Sequence, residues 1–127
     1  MHVLIKKEKS LTRESLLEAI SEGHCYISFD LFADARGFSF ATKGTDKKIM
    51  GDATPSTSGT VLMASSPVAS RFVLFKNGSA VDQKTGTTAE FAVDGAGSYR
   101  VEAYLDSLPP PARGALWIIT NPIYIAP

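Results

Sequence analysis

The strictest pattern in this chain is an alternation of apolar and polar residues near its C-terminal end. The apolar positions are Tyr99, Val101, Ala103 and Leu105, and the positions between them are Arg100, Glu102 and Tyr104. Successive side chains of a β-strand point to opposite faces, so this alternation predicts a strand with one face in the core. A helix, with 3.6 residues per turn, would spread the same residues around its circumference. The segment therefore predicts a sheet that is buried on one face.

Further short segments, separated by turn residues, predict more strands. Alternation restarts at Cys25, Ile27 and Phe29, while residues 71–76 are apolar on both faces at their centre and so predict a central strand. Asn77-Gly78 predicts a hairpin because both residues tolerate the positive φ of a type I′ turn. Residues 44–58 are rich in Gly, Lys, Thr, Pro and Ser and predict a long loop with at most one short strand. The fold class expected is a mostly-β sandwich of about seven to nine strands.

One helix is predicted before the strands, at about residues 12–22. Thr12 is the expected N-cap, because its hydroxyl can accept a bond from a backbone N–H of the first turn. Gly23 can adopt the left-handed conformation that ends a helix. Between them, three apolar residues form a stripe by which we expect the helix to pack, namely Leu16, Leu17 and Ile20.

The composition limits the organisation and the function of the chain. A length of 127 residues predicts one structural domain, with an N-terminal arm and packed helix at 1–23 and a β-sandwich at 24–127. Thirteen basic and thirteen acidic residues give a formal net charge of zero, which argues against nucleic acid or an anionic membrane as partner. No apolar run approaches the roughly 20 residues of a membrane span, and the first residues do not resemble a signal peptide. A single cysteine and two histidines predict no metal site and no cofactor.

Three segments resemble the middle of an immunoglobulin-like domain. Residues 72–78 match a central strand that ends in a Lys-x-Gly-like turn, and residues 97–103 match a later Gly-x-Tyr-x-Cys-x-Ala strand, with residues 87–93 as the strand between. The resemblance implies that Tyr99 forms a corner and that Val101 takes the place of the cysteine between the sheets. It implies an immunoglobulin-like β-sandwich with one N-terminal α-helix, and no particular function.

A second resemblance bears on function. Residues 2–5 and 11–27 resemble the last helix and final strand of a PHP-type (polymerase and histidinol phosphatase) metallohydrolase. Residues 30–38 and 117–124 resemble the β-rich C-terminal extension of some bacterial members. That family binds metals through an early His-x-His pair and a late Asp-x-His, and neither spacing occurs in this chain. The resemblance therefore implies no catalytic residue here.

What the resemblance does imply is a non-catalytic C-terminal accessory domain of a metal-dependent phosphoesterase or hydrolase. Its partner would be the upstream catalytic domain of the same polypeptide, which it would stabilise or cover. In isolation we expect a monomer or a weak homodimer. The alternative is an immunoglobulin-like module that binds a ligand or carbohydrate.

Two groups of residues are candidate contact surfaces. Asp30, Asp34 and Arg36 are the densest charged group beside apolar strands, and they form either a docking or ligand surface or a turn held by one Asp–Arg pair. An aromatic surface for a sugar could be formed by Tyr104, Trp117 and Tyr124, unless these side chains pack in the sandwich.

A catalytic pair is not expected in this chain. His24 and Cys25 are adjacent in a predicted strand, so their side chains should point to opposite faces and not cooperate as base and nucleophile. We therefore expect the isolated chain not to be an enzyme.

Overall fold

Nine strands and one helix make up the residues that the computed structural model describes, 1–5, 7–44, 47–57 and 59–127. Strands account for 51% of the chain and helix for 7%, so the predicted mostly-β sandwich class is confirmed. Thr45, Asp46 and Ser58, in the predicted loop at 44–58, lie outside the described residues. The elements are β1 (His2–Val3), α1 (Arg13–Ser21), β2 (Cys25–Ser28), β3 (Ser39–Thr42), β4 (Ala53–Pro55), β5 (Val61–Lys76), β6 (Ser79–Ala92), β7 (Gly97–Leu105), β8 (Ala115–Thr120) and β9 (Ile123–Ala126).

The strands form one open sheet in which the long strand β5 changes its neighbour. The sheet order is β1-β2-β8-β7-β5-β3, with β6 beside β5 and β9 paired with both β4 and β7. The first part of β5 pairs with β3, for example Ala64 with Phe40, and the last part pairs with β7, for example Phe72 with Ala103. The register against β6 breaks between Ser65 and Ser70. Because β5 changes neighbour across this irregularity, the β5–β6 hairpin connects the two halves of the sheet.

One core joins these halves. Its fully buried side chains come from strands that are distant in the sheet order: Phe40 of β3, Leu62 and Phe72 of β5, Phe91 of β6, Val101 of β7, Trp117 of β8 and Ile123 of β9. Residues of β3 and β9 can meet in one cluster only if the sheet bends over on itself. The result is the two-layer packing of a β-sandwich.

Strand β7 agrees with its predicted alternation at every inward position. Tyr99 is 1% exposed and Val101 is fully buried. The Tyr99 hydroxyl donates to the backbone oxygens of Asp94 and Gly95, at 2.9 Å each. This contact is the tyrosine corner that the immunoglobulin resemblance implied.

Helix α1 forms where expected but packs by a different face. Thr12 is the N-cap, and its Oγ1 accepts from the backbone N–H of Ser15 at 3.1 Å. The buried residues of the helix are Ser15 and Ala19, which line a small cavity with Leu4 and His24. The prediction that the apolar stripe packs against the domain is wrong. Leu16 is 36% exposed, Leu17 is 54% exposed and Ile20 is 37% exposed. Small side chains, not the leucines, face the rest of the domain.

The N-terminal arm folds back onto its own sheet. In β1, Val3 pairs with Cys25, and the His2 ring stacks on Tyr26 with 4.8 Å between centroids. The buried residues of β2 are Cys25 and Tyr26, at 8% and 4% exposure. The alternating apolar residues Ile27 and Phe29 point outward, and they are 48% and 45% exposed.

Candidate functional site

The charged group predicted from the sequence lies in the loop that leaves β2. The backbone N–H of Phe32 donates to the oxygen of Phe29 at 3.0 Å and closes a turn around Asp30 and Leu31. Leu31 is 93% exposed. The loop therefore presents an apolar side chain at the tip of a closed turn, beside the charged residues.

Hydrogen bonds from the core fix this loop on both sides of the turn. Before it, the backbone N–H of Phe29 donates to the Trp117 oxygen at 2.8 Å. After it, Trp117 Nε1 donates to the Ala33 oxygen at 2.9 Å, and the Tyr26 hydroxyl donates to the Ala35 oxygen at 3.3 Å. Trp117 and Tyr26 are both buried, so the anchors belong to the core of the domain.

Two separate units make up the predicted Asp30, Asp34 and Arg36 group. Asp30 accepts from Ser28 Oγ at 2.6 Å and lies 3.4 Å from His2 Nε2, and the Ser28 hydrogen bond is the main reason why the pKa of Asp30 is lowered. Asp34 accepts from Arg36 Nη2 at 2.6 Å and from its Nε at 2.9 Å, and these bonds lower the pKa of Asp34. The Asp–Arg pair is therefore Asp34–Arg36, while Asp30 keeps its negative charge without an arginine partner.

The three aromatic residues of the candidate sugar surface do not form one exposed surface, so the structure corrects this expectation. Trp117 is fully buried, because the loop after β2 covers its ring and accepts its N–H. Tyr104 and Tyr124 are on strands β7 and β9, where Tyr124 pairs with Ser98. Tyr104 is six positions after Ser98 in β7, which corresponds to about 20 Å along the strand. The two tyrosines therefore cannot contact one small ligand together.

Tyr104 belongs instead to a closed network on the outer face of β7. Its hydroxyl donates to Glu102 Oε1 at 2.5 Å, and the Arg71 guanidinium lies 4.7 Å from the centroid of its ring. Glu102 also accepts from Arg100. Burial raises the pKa of Glu102, but the bonds from Tyr104 and Arg100 outweigh it and hold the pKa below its ordinary value. Each group is satisfied by a neighbour, as in a structural cross-strand network.

A cleft of about 640 Å³ beside the end of α1 was not predicted. His24 lines it, with Nε2 2.9 Å from Asp52 Oδ1 and Nδ1 3.4 Å from Glu22 Oε2. The turn at Gly23, which ends α1, lies against the turn at Gly51. The contact is so close that a Cβ added to Gly51 would lie 2.2 Å from the backbone oxygen of Glu22. Asp52 is 28 residues from His24, so only the tertiary contact between the turns reveals this arrangement.

The cleft lacks the geometry of a hydrolytic centre. Both nitrogens of His24 face carboxylates, so a nucleophile would have to displace one of these carboxylates to reach the ring. Ser21 lines the same cleft, but its hydroxyl donates to the Glu18 oxygen at 2.8 Å. The two carboxylates approach opposite ring nitrogens, so one cation could not bind all three groups. No group of three or more His, Cys, Asp or Glu residues suited to a metal occurs among the described residues.

The side chains of His24 and Cys25 contact different groups. Asn121 Nδ2 lies 3.2 Å from Cys25 Sγ, whereas the His24 ring contacts Asp52 and Glu22.

In the part of the chain that the structure describes, no helix is long and apolar enough to cross a membrane.

Comparisons with known proteins add no assignment, because the chain matches no protein-family model, no curated protein and no solved structure. The fold and the site define a β-sandwich domain with an exposed apolar surface near its N-terminus. A proposal for its function therefore depends on that surface and on the sequence resemblance.

Proposed function

We propose that the chain is a non-catalytic C-terminal accessory domain of a PHP-type metal-dependent phosphoesterase or hydrolase. In this role it stabilises or covers the catalytic domain that precedes it in the same polypeptide. The family assignment rests on the sequence resemblance. Docking is supported by one structural observation, the exposed set that we call the N-terminal surface: Leu16, Leu17, Ile20, Ile27, Phe29 and Leu31.

The distribution of exposed apolar residues favours docking through this region. Single exposed apolar side chains are common on any protein surface. In the described residues, however, eight of the ten large apolar side chains with high exposure occur in the first 31 residues, and the remaining two are Val81 and Tyr124. Exposed apolar residues that form one patch are typical of contact sites, and these eight lie within one stretch of the sequence. Residues 2–38 are also a region in which the family resemblance is found.

The non-catalytic role is supported by the chemistry of the cleft. A carboxylate lies beside each nitrogen of its histidine, and these carboxylates do not converge on one point. The carbohydrate-binding alternative lacks its aromatic surface, since Trp117 is buried. Docking is the function with an exposed surface to support it.

Hydrogen exchange tests the docking. Exchange should be measured on the isolated chain and on the natural polypeptide with its upstream domain. We expect slower exchange at residues 2–38 in the longer polypeptide, because docking excludes water from the N-terminal surface. The Asn77-Gly78 turn is the internal control and should exchange equally in both. A natural polypeptide without an upstream domain, or equal exchange at 2–38, would contradict the proposal.

A metal and activity assay tests the non-catalytic role separately. After dialysis, the isolated chain should contain no stoichiometric zinc, manganese or iron and should hydrolyse no generic phosphoester. Bound metal together with turnover would exclude the accessory role, whatever the exchange data show.

A further inference from the structure

We infer that Lys84 protects the free edge of β6, and that without this lysine a second copy of the chain pairs with β6 as an additional strand. The inference does not depend on the proposed function. β6 is 14 residues long, and within the described part of the chain it is hydrogen-bonded to β5 alone. The backbone groups along its other side are open to a further strand, and such an edge leads to association unless something blocks it.

The hydrogen bonds of β5 show which backbone groups of β6 face the free edge. In an antiparallel pair, successive residues direct their N–H and C=O groups to opposite sides. The oxygen of Val61 accepts from the backbone N–H of Lys43 at 2.8 Å, on the β3 side, so the next residue, Leu62, faces β6. Leu62 is paired with Phe91, whose backbone groups are therefore directed to β5. By the same alternation, the outward residues of this part of β6 are Thr88, Glu90 and Ala92.

Lys84 blocks the middle of this edge. Its Nζ donates to the backbone oxygen of Glu90 at 2.5 Å and lies 5.6 Å from the centroid of the Phe91 ring. Six positions of a straight strand span about 20 Å, which is more than a lysine side chain can reach, so β6 bends between Lys84 and Glu90. The bend lies opposite the irregularity of β5 between Ser65 and Ser70. The lysine thus occupies the central outward acceptor of residues 88–92.

The side chain of Lys84 is also on the core side of β6. Lys84 is directly opposite Phe72, and opposite residues of an antiparallel pair share a face. Phe72 is fully buried. A strand added to β6 would cover the ammonium group and displace it from the Glu90 oxygen. Burial of a charge without a partner is costly, so a charged side chain that points inward at an edge opposes the addition of a strand.

A β-bulge protects the half of β6 that is nearer the hairpin turn. The register of β6 against β5 shifts between Leu74 and Phe75, which leaves Val81 without an opposite residue. A bulge bends and twists the edge, so a regular partner strand does not fit it. The segment at residues 88–92 has no such irregularity, and its protection depends on Lys84.

A second copy of this chain fits the unprotected segment. Its own β6 has the same outward groups at the same spacing, so two copies can pair antiparallel through residues 88–92. A register with Glu90 opposite Ala92 of the other copy keeps the two Glu90 carboxylates from facing each other. The contact uses the same surface on both copies and closes as a dimer.

Sedimentation of this chain over a range of concentrations tests the inference. Lys84→Thr should lower the dimer dissociation constant by about tenfold or more, because it removes both the charge and the blocking hydrogen bond. Lys43→Thr is the matched control, since Lys43 contacts the same residue but binds the Glu90 carboxylate, at 2.7 Å, and not its backbone oxygen. This control should sediment as the wild type does, and so should Lys84→Arg, which keeps the charge.

Hydrogen exchange of single amides locates the contact. In the Lys84→Thr dimer, the outward amides of Thr88 and Glu90 should exchange more slowly than in the wild type. The amides of Ala89 and Phe91 are already directed to β5, so their exchange should not change. Association that leaves Thr88 and Glu90 unprotected would overturn the inference, because the contact would then lie elsewhere.

The remaining outcomes are equally decisive. A Lys84→Thr protein with the dissociation constant of the wild type, or a Lys43→Thr protein that associates as strongly, would overturn the inference. If Lys84→Thr shows no urea transition, Lys84→Gln replaces it, since this substitution removes the charge and keeps most of the side chain. A Lys84→Gln protein that does not associate, or does not fold, would show that Lys84 has no protective role at the edge.

Discussion

Strands β7 and β2 have the same alternation of residue types, yet β7 buries its whole apolar set, whereas β2 buries Cys25 and leaves Ile27 and the following Phe29 exposed. In β7 the inward residues Tyr99 and Val101 are at most 1% exposed, whereas Ile27 and Phe29, at β2 and the residue after it, are nearly half exposed. β7 lies between neighbours on both sides, and β2 has only the two-residue β1 beyond it. Alternation therefore determines which residues share a face, but the segments that pack on a face determine whether it is covered.

The largest expected loss of unfolding free energy comes from a substitution in the buried core. Trp117→Ala should cost about 3–5 kcal/mol of unfolding free energy, because it leaves a large cavity and removes the bond to Ala33. Urea unfolding of the isolated chain measures it. A loss below about 1 kcal/mol would show that the core around β8 and the loop after β2 is not close-packed.

A glycine substitution tests how firmly the turn at the end of α1 packs against the turn at Gly51. Gly51→Ala should cost more than about 2 kcal/mol, because strain at φ +92° adds to a clash with the backbone of Glu22. The control is Gly37→Ala, where φ is +96° and nothing lies within 4 Å of the added Cβ, so only the strain is expected. Equal losses in the two variants would mean that the turns at Gly23 and Gly51 separate easily.

Strand β7 itself provides the next test. Val101→Ala should cost about 1–3 kcal/mol, since it removes two methyl groups from a fully buried position. Denaturant unfolding is the measurement, and an unchanged midpoint would contradict the inward phase of β7.

The pH dependence sharpens the comparison at the outer face of β7. The folded-state pKa of Glu102 is lowered, so its contribution to stability is present above the unfolded value of about 4.3 and is lost as pH falls through the folded pKa. Between pH 7 and pH 3, Glu102→Gln should therefore lose less stability than the wild type. Unfolding at both pH values measures the difference, and parallel losses would indicate that the bonds from Tyr104 and Arg100 do not favour the charged form.

The smallest change in stability is expected from a substitution at an exposed apolar residue of α1. Leu17→Ala should change the stability of the isolated chain by less than about 0.5 kcal/mol, since its side chain is 54% exposed. In the natural polypeptide the proposed docking would make the same substitution more costly. A large loss in the isolated chain would indicate that the predicted stripe of α1 does pack against its own domain.

The candidate site was only partly predictable from the sequence. The sequence offered a turn held by one Asp–Arg pair as one of two readings, and the structure identifies Asp34 as the partner of Arg36. The exposure of Leu31 and the contact of His24 with Asp52 were not predictable. Both depend on segments far apart in the chain: Trp117 anchors the loop around Leu31, and the turn at Gly51 brings Asp52 to His24.

By itself, the sequence determined the local structure of this protein: the helix after Thr12, the strand from Gly97 to Leu105 and the mostly-β class. These follow from capping and from side-chain periodicity, which act over a few residues. Only the tertiary structure decided that Tyr26 enters the core while Ile27 stays outside, and that Trp117 lies beneath the loop. The reason is physical. Burial depends on which distant segments cover a face, and a pattern within one strand does not identify those segments.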